Sequence, residues 1–398
     1  MPVPVGFILL RGFPGTPVLM ALAVGLCVGP ASAAGQEQEP PATVPALIEA
    51  GNAAYMKGDY EAARQSLSKA WEMAQQAPPA DPVRYDILKR LTSVRAAAGE
   101  FADADTYLQM AITWRENTLG ANDPKIPDDL LISVGLCRGM KDYDRGRAIL
   151  SRVMALHRIV NGPDSTLIAD DFSRMAQLFM DQKNLQSASG SWITALGIRT
   201  KVLGPLDVSL VPDLDRLAAA YIAQRAYDKA EDTYRHALVI RETLLGKEDA
   251  DLIATVDGLA YACFGQKKYA EAEPLYQRLI SLWIKSVGDD HPMVAMALDK
   301  VSTFYAGQKK YDQAKDAADR GNAIRAQFLA TGLSTQATEQ LAEGNKDPAM
   351  ALYHRALAVM DPPSPVYEEL KGIIEGVVKS LEPPAPKAPA KKASPKKK

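Results

Sequence analysis

The pentapeptide GQKKY stands at residues 265–269 and again at 307–311, the same five residues 42 positions apart. Stepping by that interval from Tyr311 reaches Tyr269, Tyr227, Leu185, Tyr143 and Phe101, and a step of 41 then reaches Tyr60. Three residues after each anchor stands a small residue: Ala314, Ala272, Ala230, Ala188, Gly146, Ala104 and Ala63. Seven after each stand Ala318, Tyr276, Tyr234, Trp192, Leu150, Leu108 and Leu67. Offsets of three and seven share one face of a helix, and a small residue between two larger ones lets a neighbouring helix come close. A second apolar stripe precedes the anchor, as in Leu214, Leu217, Ala218 and Tyr221, or Val256, Leu259, Ala260 and Cys263. Gly120, Gly162, Gly204, Gly246 and Gly288 mark helix ends, where glycine accepts a left-handed backbone. Asp123, Asp164, Asp207, Asp249 and Asp290 follow and suit the cap of the next helix. Each unit therefore reads helix, turn, longer helix, turn. No strand pattern is present. A helix pair cannot bury its own apolar stripe, so the copies must stack.

The sequence resembles the tetratricopeptide repeat (TPR) family in its 42-residue, kinesin-light-chain form. The stretches that carry the resemblance are YDKAEDTYRHALVIRETLLG (227–246) and YAEAEPLYQRLISLWIKSVGDDHP (269–292). It implies an all-α superhelical solenoid of stacked antiparallel helix pairs, about seven to eight repeats, over residues 43–360. The first and fourth copies are degenerate, and Pro127 and Pro212 fall inside the expected starts of first helices. KDPAMALYHRAL (346–357) opens an eighth unit at shorter spacing, with Lys346 where the aromatic stands elsewhere. Residues 361–382 read as a C-terminal capping helix, with Tyr367, Leu370, Ile374, Val377 and Leu381 on one side.

The ends of the chain have other compositions. Arg11 is the only charge before Glu37, and VLMALAVGLCV (18–28) is an apolar run followed by ASA at 31–33, a small-x-small cleavage pattern. That run is shorter than the roughly 20 residues a membrane helix needs. Residues 1–33 are thus expected to be a signal peptide, 34–42 a linker, and the protein extracytoplasmic, periplasmic or secreted after cleavage near Ala34. Leu26 before Cys27 does not fit a lipoprotein site. Residues 383–398 form a Lys/Pro-rich tail of disordered composition. The last twelve residues hold six lysines and no acid, so without those lysines the chain, at −2 overall, stands at −8. The basic tail suits weak contact with anionic envelope surfaces, whereas the acidic body disfavours nucleic acid.

Catalytic, cofactor and metal motifs are missing. His157, His236, His291 and His354 occupy scattered positions, and no phosphate loop, serine-nucleophile motif or Cys/His metal spacing occurs. His291, in the turn DDHP, reads as structural. Cys137 and Cys263 sit six residues before their anchors and three units apart. Stacked helices lie about 8–10 Å apart, so these thiols are too distant for the roughly 7 Å span of a disulfide.

In the resembling family the first helices line a concave wall. Beside the buried stripe, that wall would carry Asp215, Ala219 and Ile222, then Asp257, Tyr261 and Phe264, then Asp299, Thr303 and Ala306. Earlier copies supply Ser173, Gln177 and Met180, then Leu131, Gly135 and Arg138, then Lys89, Ser93 and Ala96. The expected groove is an apolar centre (Met180, Ile222, Tyr261, Phe264) flanked by an acidic row (Asp215, Asp257, Asp299) and a basic N-terminal end. Its expected occupant is a protein or peptide partner. The bland alternative pairs these acids with Arg216, Lys300 and their neighbours as a solvated face. A self-assembling structural protein, joined through repeat faces and the basic tail, is the rival function.

Overall fold

A computed structural model describes residues 43–360, 364, 365 and 367–381. The expected signal peptide (1–33), linker (34–42) and tail (383–398) lie outside the described residues. The described chain is helical, without a strand among the described residues. Six helix pairs follow one another: α1 (Val44–Met56) and α2 (Tyr60–Ala74), α3 (Pro82–Ala97) and α4 (Phe101–Leu119), α5 (Ile126–Met140) and α6 (Tyr143–Asn161), α7 (Thr166–Asp181) and α8 (Leu185–Leu203), α9 (Val211–Ala223) and α10 (Tyr227–Leu245), α11 (Ile253–Gly265) and α12 (Tyr269–Val287). α13 (Pro292–Gly307), α14 (Tyr311–Ala342), α15 (Lys346–Val359) and α16 (Glu368–Leu381) complete the stack. Each helix packs mainly on its neighbours in the chain, the arrangement of a solenoid.

The anchors open the second helix of every pair, and the small residue three positions on is where the pair closes. Ala63, Ala104, Ala188, Ala230 and Ala272 are fully buried there. Pro127 and Pro212 fall in the first turns of α5 and α9, where a proline lacks no hydrogen bond the helix needs. Gly120, Gly162, Gly204, Gly246 and Gly288 take φ between 79° and 98° and end the 19-residue second helices. In the seventh unit the corresponding residue is Ala330, buried and helical. A Cβ disfavours positive φ, so the helix does not break there, and α14 runs 32 residues into the eighth unit.

The expected caps hold in part. Asp207 and Asp249 accept backbone N–H bonds at the starts of short 3-10 turns, and Asp123 accepts one from Lys125. Asp164 instead pairs with Lys201 while Ser165 caps α7, and at α13 the cap is His291, whose ring accepts the Met293 N–H.

GQKKY itself has three jobs. Lys267 and Lys309 take left-handed backbone at φ 63°, as do Lys141, Lys183 and Arg225 at the same place in their units. Gln266 reaches back and donates to the Tyr227 carbonyl (3.0 Å) and Glu231 (2.6 Å), tying the turn to the preceding unit. Gly265 lies under the Tyr227 ring, and a Cβ there would come within 2.6 Å of it. Gly307 does the same for Phe264, also at 2.6 Å. The two copies differ at their last residue: Tyr269 packs on the core, whereas Tyr311 is 67% exposed, because the unit after it is displaced by the shorter spacing.

Candidate functional site

On the first-helix side, α9, α11 and α13 line a cavity of about 380 Å³. Ile222, Asp257, Tyr261 and Phe264 line it together with Ala219, Lys300 and Thr303. Beneath them lie Tyr234 of α10 and Tyr276 of α12, the residues seven positions after their anchors. Gly258 lets the Tyr234 ring in; a Cβ there would meet its tip at 2.3 Å. Burial, followed by the charges of Asp215 and Asp257, pushes the Tyr234 hydroxyl up to about 12. Burial likewise raises the Tyr276 hydroxyl. Both are neutral phenols at physiological pH, apolar in body and polar at the tip.

The expected groove residues do not all converge. Four of them, Ile222, Asp257, Tyr261 and Phe264, share the cavity. Met180 packs half-buried against the core of the preceding unit, alongside Ile222. Asp215 is taken up by Arg241, at 3.0 and 2.7 Å, and Asp299 by Arg325 at 2.9 Å. Asp257 pairs with Lys300. The acidic row is therefore neutralised side chain by side chain. Tyr261 is 46% exposed and meets Tyr227 edge-on. Phe264 is different: its ring packs on Phe304 and Tyr269 and covers Gly307, making it a wall of the cavity and part of the core.

A buried polar ladder escaped the sequence reading. Arg115 of α4 bonds Asp129 of α5 at 3.2 Å, His157 of α6 meets Asp171 of α7 at 2.7 Å, and Arg199 of α8 pairs with Asp213 of α9. Arg115, His157 and Arg199 each stand 14 residues after an anchor, and each acid 14 before the next. All six side chains are buried. Burial raises the carboxyls of Asp171 and Asp213 above the usual range despite their partners. The rungs then change: Arg241 meets Thr255, and the next pair is Trp283 and Ala297. The signal was the recurrence of Arg115, Arg199 and Arg241 at multiples of 42, with His157 in the gap.

Glu231, Cys263 and Glu271 also approach within 4.8 Å of one another. Lys268 and Arg235 bond these carboxylates at 2.6–2.7 Å, and burial raises the thiol, so the cluster is already charge-balanced. Cys137 and Cys263 are both buried and unbridged. No described helix is long and apolar enough to cross a membrane.

Residues 252–327 match one tetratricopeptide repeat family, and residues 214–251 match another. No curated protein matches the sequence. Solved structures similar to it include BtubC (BKLC) from P. vanneervenii, 16% identical, with a TM-score of 0.48, covering 57% of this chain and 91% of that one. A Podosopora anserina protein with nearly identical TPR-like repeats is 19% identical, with a TM-score of 0.45, covering 51% and 97%. A tetratricopeptide repeat protein from Parabacteroides merdae is 15% identical, with a TM-score of 0.34, covering 85% and 98%.

Proposed function

Because the chain is a tetratricopeptide-repeat protein built on 42-residue units, we propose that it is a non-catalytic scaffold gripping a segment of a partner protein on its first-helix side. The cavity over Tyr234 and Tyr276 carries this reading. It has apolar walls, two phenol tips in its floor and a charge pair, Asp257 with Lys300, at its rim. Such a site takes one apolar side chain of the partner and leaves polar groups to set register. The apolar segment 18–28 and ASA at 31–33 support placing this work outside the cytoplasm.

The test is photo-crosslinking in cells from a benzophenone amino acid placed at Tyr261, with Val239, exposed on the second-helix side, as the control position. A discrete adduct at 261 that is absent at 239 is expected. The captured partner should then bind the purified Tyr261→Ala variant about tenfold or more weakly, the size of a modest hot spot. Equal capture at both positions, or unchanged affinity, overturns the proposal.

A further inference from the structure

A second cavity, larger than the first, lies on the other side of the stack, among the second helices, and sequence reasoning assigned it nothing. It measures about 930 Å³ and opens between α2, the α2–α3 connection and α4. Its origin is a missing turn. α2 has 15 residues where α4, α6, α8, α10 and α12 have 19. Beyond Ala74 the chain reads QQAPPAD (75–81) rather than helix ending in glycine, and α4 lines the cavity from Asp105 to Thr118.

Two of the four tryptophans stand here. Trp114 is fixed: its indole N–H donates to the Pro79 carbonyl at 2.8 Å, and Tyr85 packs on it at 5.6 Å. Trp71 stands half-buried in the opposite wall. The charges of the wall are already spent. Arg84 donates to the carbonyls of Ala74, Gln75 and Ala77 at 3.0, 2.6 and 2.7 Å, and Asp105 accepts from Ser133 at 2.8 Å and pairs with Arg145. Thr113, Asn117 and Thr118 remain, exposed along α4 and bonded to no described side chain. On α6, α8, α10 and α12 the matching positions mix charges (Arg152, Lys201, Asp232, Arg278, Lys285) with small and apolar residues, whereas α4 places the uncharged Thr106, Met110, Thr113 and Asn117 there.

We propose that this cavity is a binding site for a neutral saccharide. One face of a pyranose ring is a sheet of C–H groups, which suits the electron-rich face of an indole. Its rim of hydroxyls donates and accepts at once, as do the threonine hydroxyls and the Asn117 amide opposite. A charged ligand finds no unspent counter-charge. A polyproline segment has carbonyl acceptors and few donors, leaving the threonine and amide acceptors unused. The volume falls in the range of sites that enclose small ligands, about 300–1,000 Å³.

The experiment uses the purified whole chain with maltotriose, cellotriose and triacetylchitotriose as probes, read by saturation-transfer NMR and calorimetry. At least one should bind with a Kd below about 1 mM. Asn117→Ala, at an exposed position, should weaken it several-fold without moving Tm, and Trp71→Ala by tenfold or more. Tyr261→Ala, in the other cavity, should leave it unchanged, so failure here is separable from failure of the partner groove. No binding of any probe at about 10 mM overturns the proposal. So does affinity that survives both cavity variants. Binding of a synthetic EPPAPKAPAKKASPKKK peptide without any saccharide binding would overturn it in favour of a proline-rich ligand.

Discussion

The interfaces between neighbouring units are built in two ways. From α4 to α9 each interface buries a polar rung, the ion pairs Arg115 with Asp129 and Arg199 with Asp213 and, between them, the hydrogen bond of His157 with Asp171. From α10 to α14 the rungs lose their acid and then turn apolar, and aromatic rings take over, with Phe304 in contact with Phe264, Tyr269, Tyr276 and Tyr305. The first-helix cavity opens in this second region. Buried ion pairs need close, oriented partners, whereas Tyr234 and Tyr276 line the cavity, the Tyr234 ring seated where Gly258 carries no Cβ. The difference teaches that one repeat can bury polar pairs in one stretch and leave a cavity in another by exchanging a few positions.

Breaking a rung should give the largest effect. Asp213→Ala strands the buried Arg199 guanidinium and should cost about 3 kcal/mol, the low end for a broken buried pair because Asp170 still holds one nitrogen. Thr255→Ala, one unit on, should cost about 1 kcal/mol, since Arg241 keeps Asp215. Denaturant melts, with hydrogen exchange resolved over α8 to α11, check both; equal losses would erase the contrast between regions.

A smaller split is expected inside the aromatic region. Phe264→Ala should cost about 2 kcal/mol, because the ring packs on Phe304 and fills the space above Gly307. Tyr261→Ala should stay within about 0.5 kcal/mol, as for other exposed positions. Thermal melts of the two single variants separate wall from anchor.

The smallest effect lies in the turns. Lys267→Gly relieves a left-handed lysine and should stabilise by about 0.5 kcal/mol, the strain removed being partly offset by the freer unfolded glycine. Acid pH offers a last contrast, in direction alone. Asp171 and Asp213 have raised carboxyls in the fold, so the folded state takes up their protons first. Their contribution therefore improves as pH falls from those raised values towards the ordinary carboxylate range. Glu231 is the reverse. Burial acts to raise it, but Lys268, Gln266 and Arg235 outweigh that and hold it low, so its stabilisation is lost as pH falls below the ordinary value. Exchange protection measured against pH should therefore fail around α10–α12 before α7–α9.

Much of the architecture was legible because it repeats. Anchors, small residues and turn glycines recur at fixed intervals; Ala330, standing in the next unit where five glycines stand, is a signal for the unbroken α14 that the sequence reading did not use. The ladder was legible too, but it lay two positions from the acids that drew attention: Asp213 rather than Asp215. Which acid is buried depends on the rotation of a first helix against both neighbours, and a two-residue offset turns a side chain through more than half a circle.

By itself the sequence determined helix pairs, their register and the need to stack, because these follow from local backbone preferences and from apolar faces that no single pair can cover. Tertiary structure alone decided where the cavities lie. Nothing local marks the short α2 as the floor of a 930 Å³ space, or Gly258 as the seat of a tyrosine 24 residues away. Cavities are the volume that packing fails to fill, and that remainder depends on side chains from several helices at once, while a repeat pattern describes them one unit at a time.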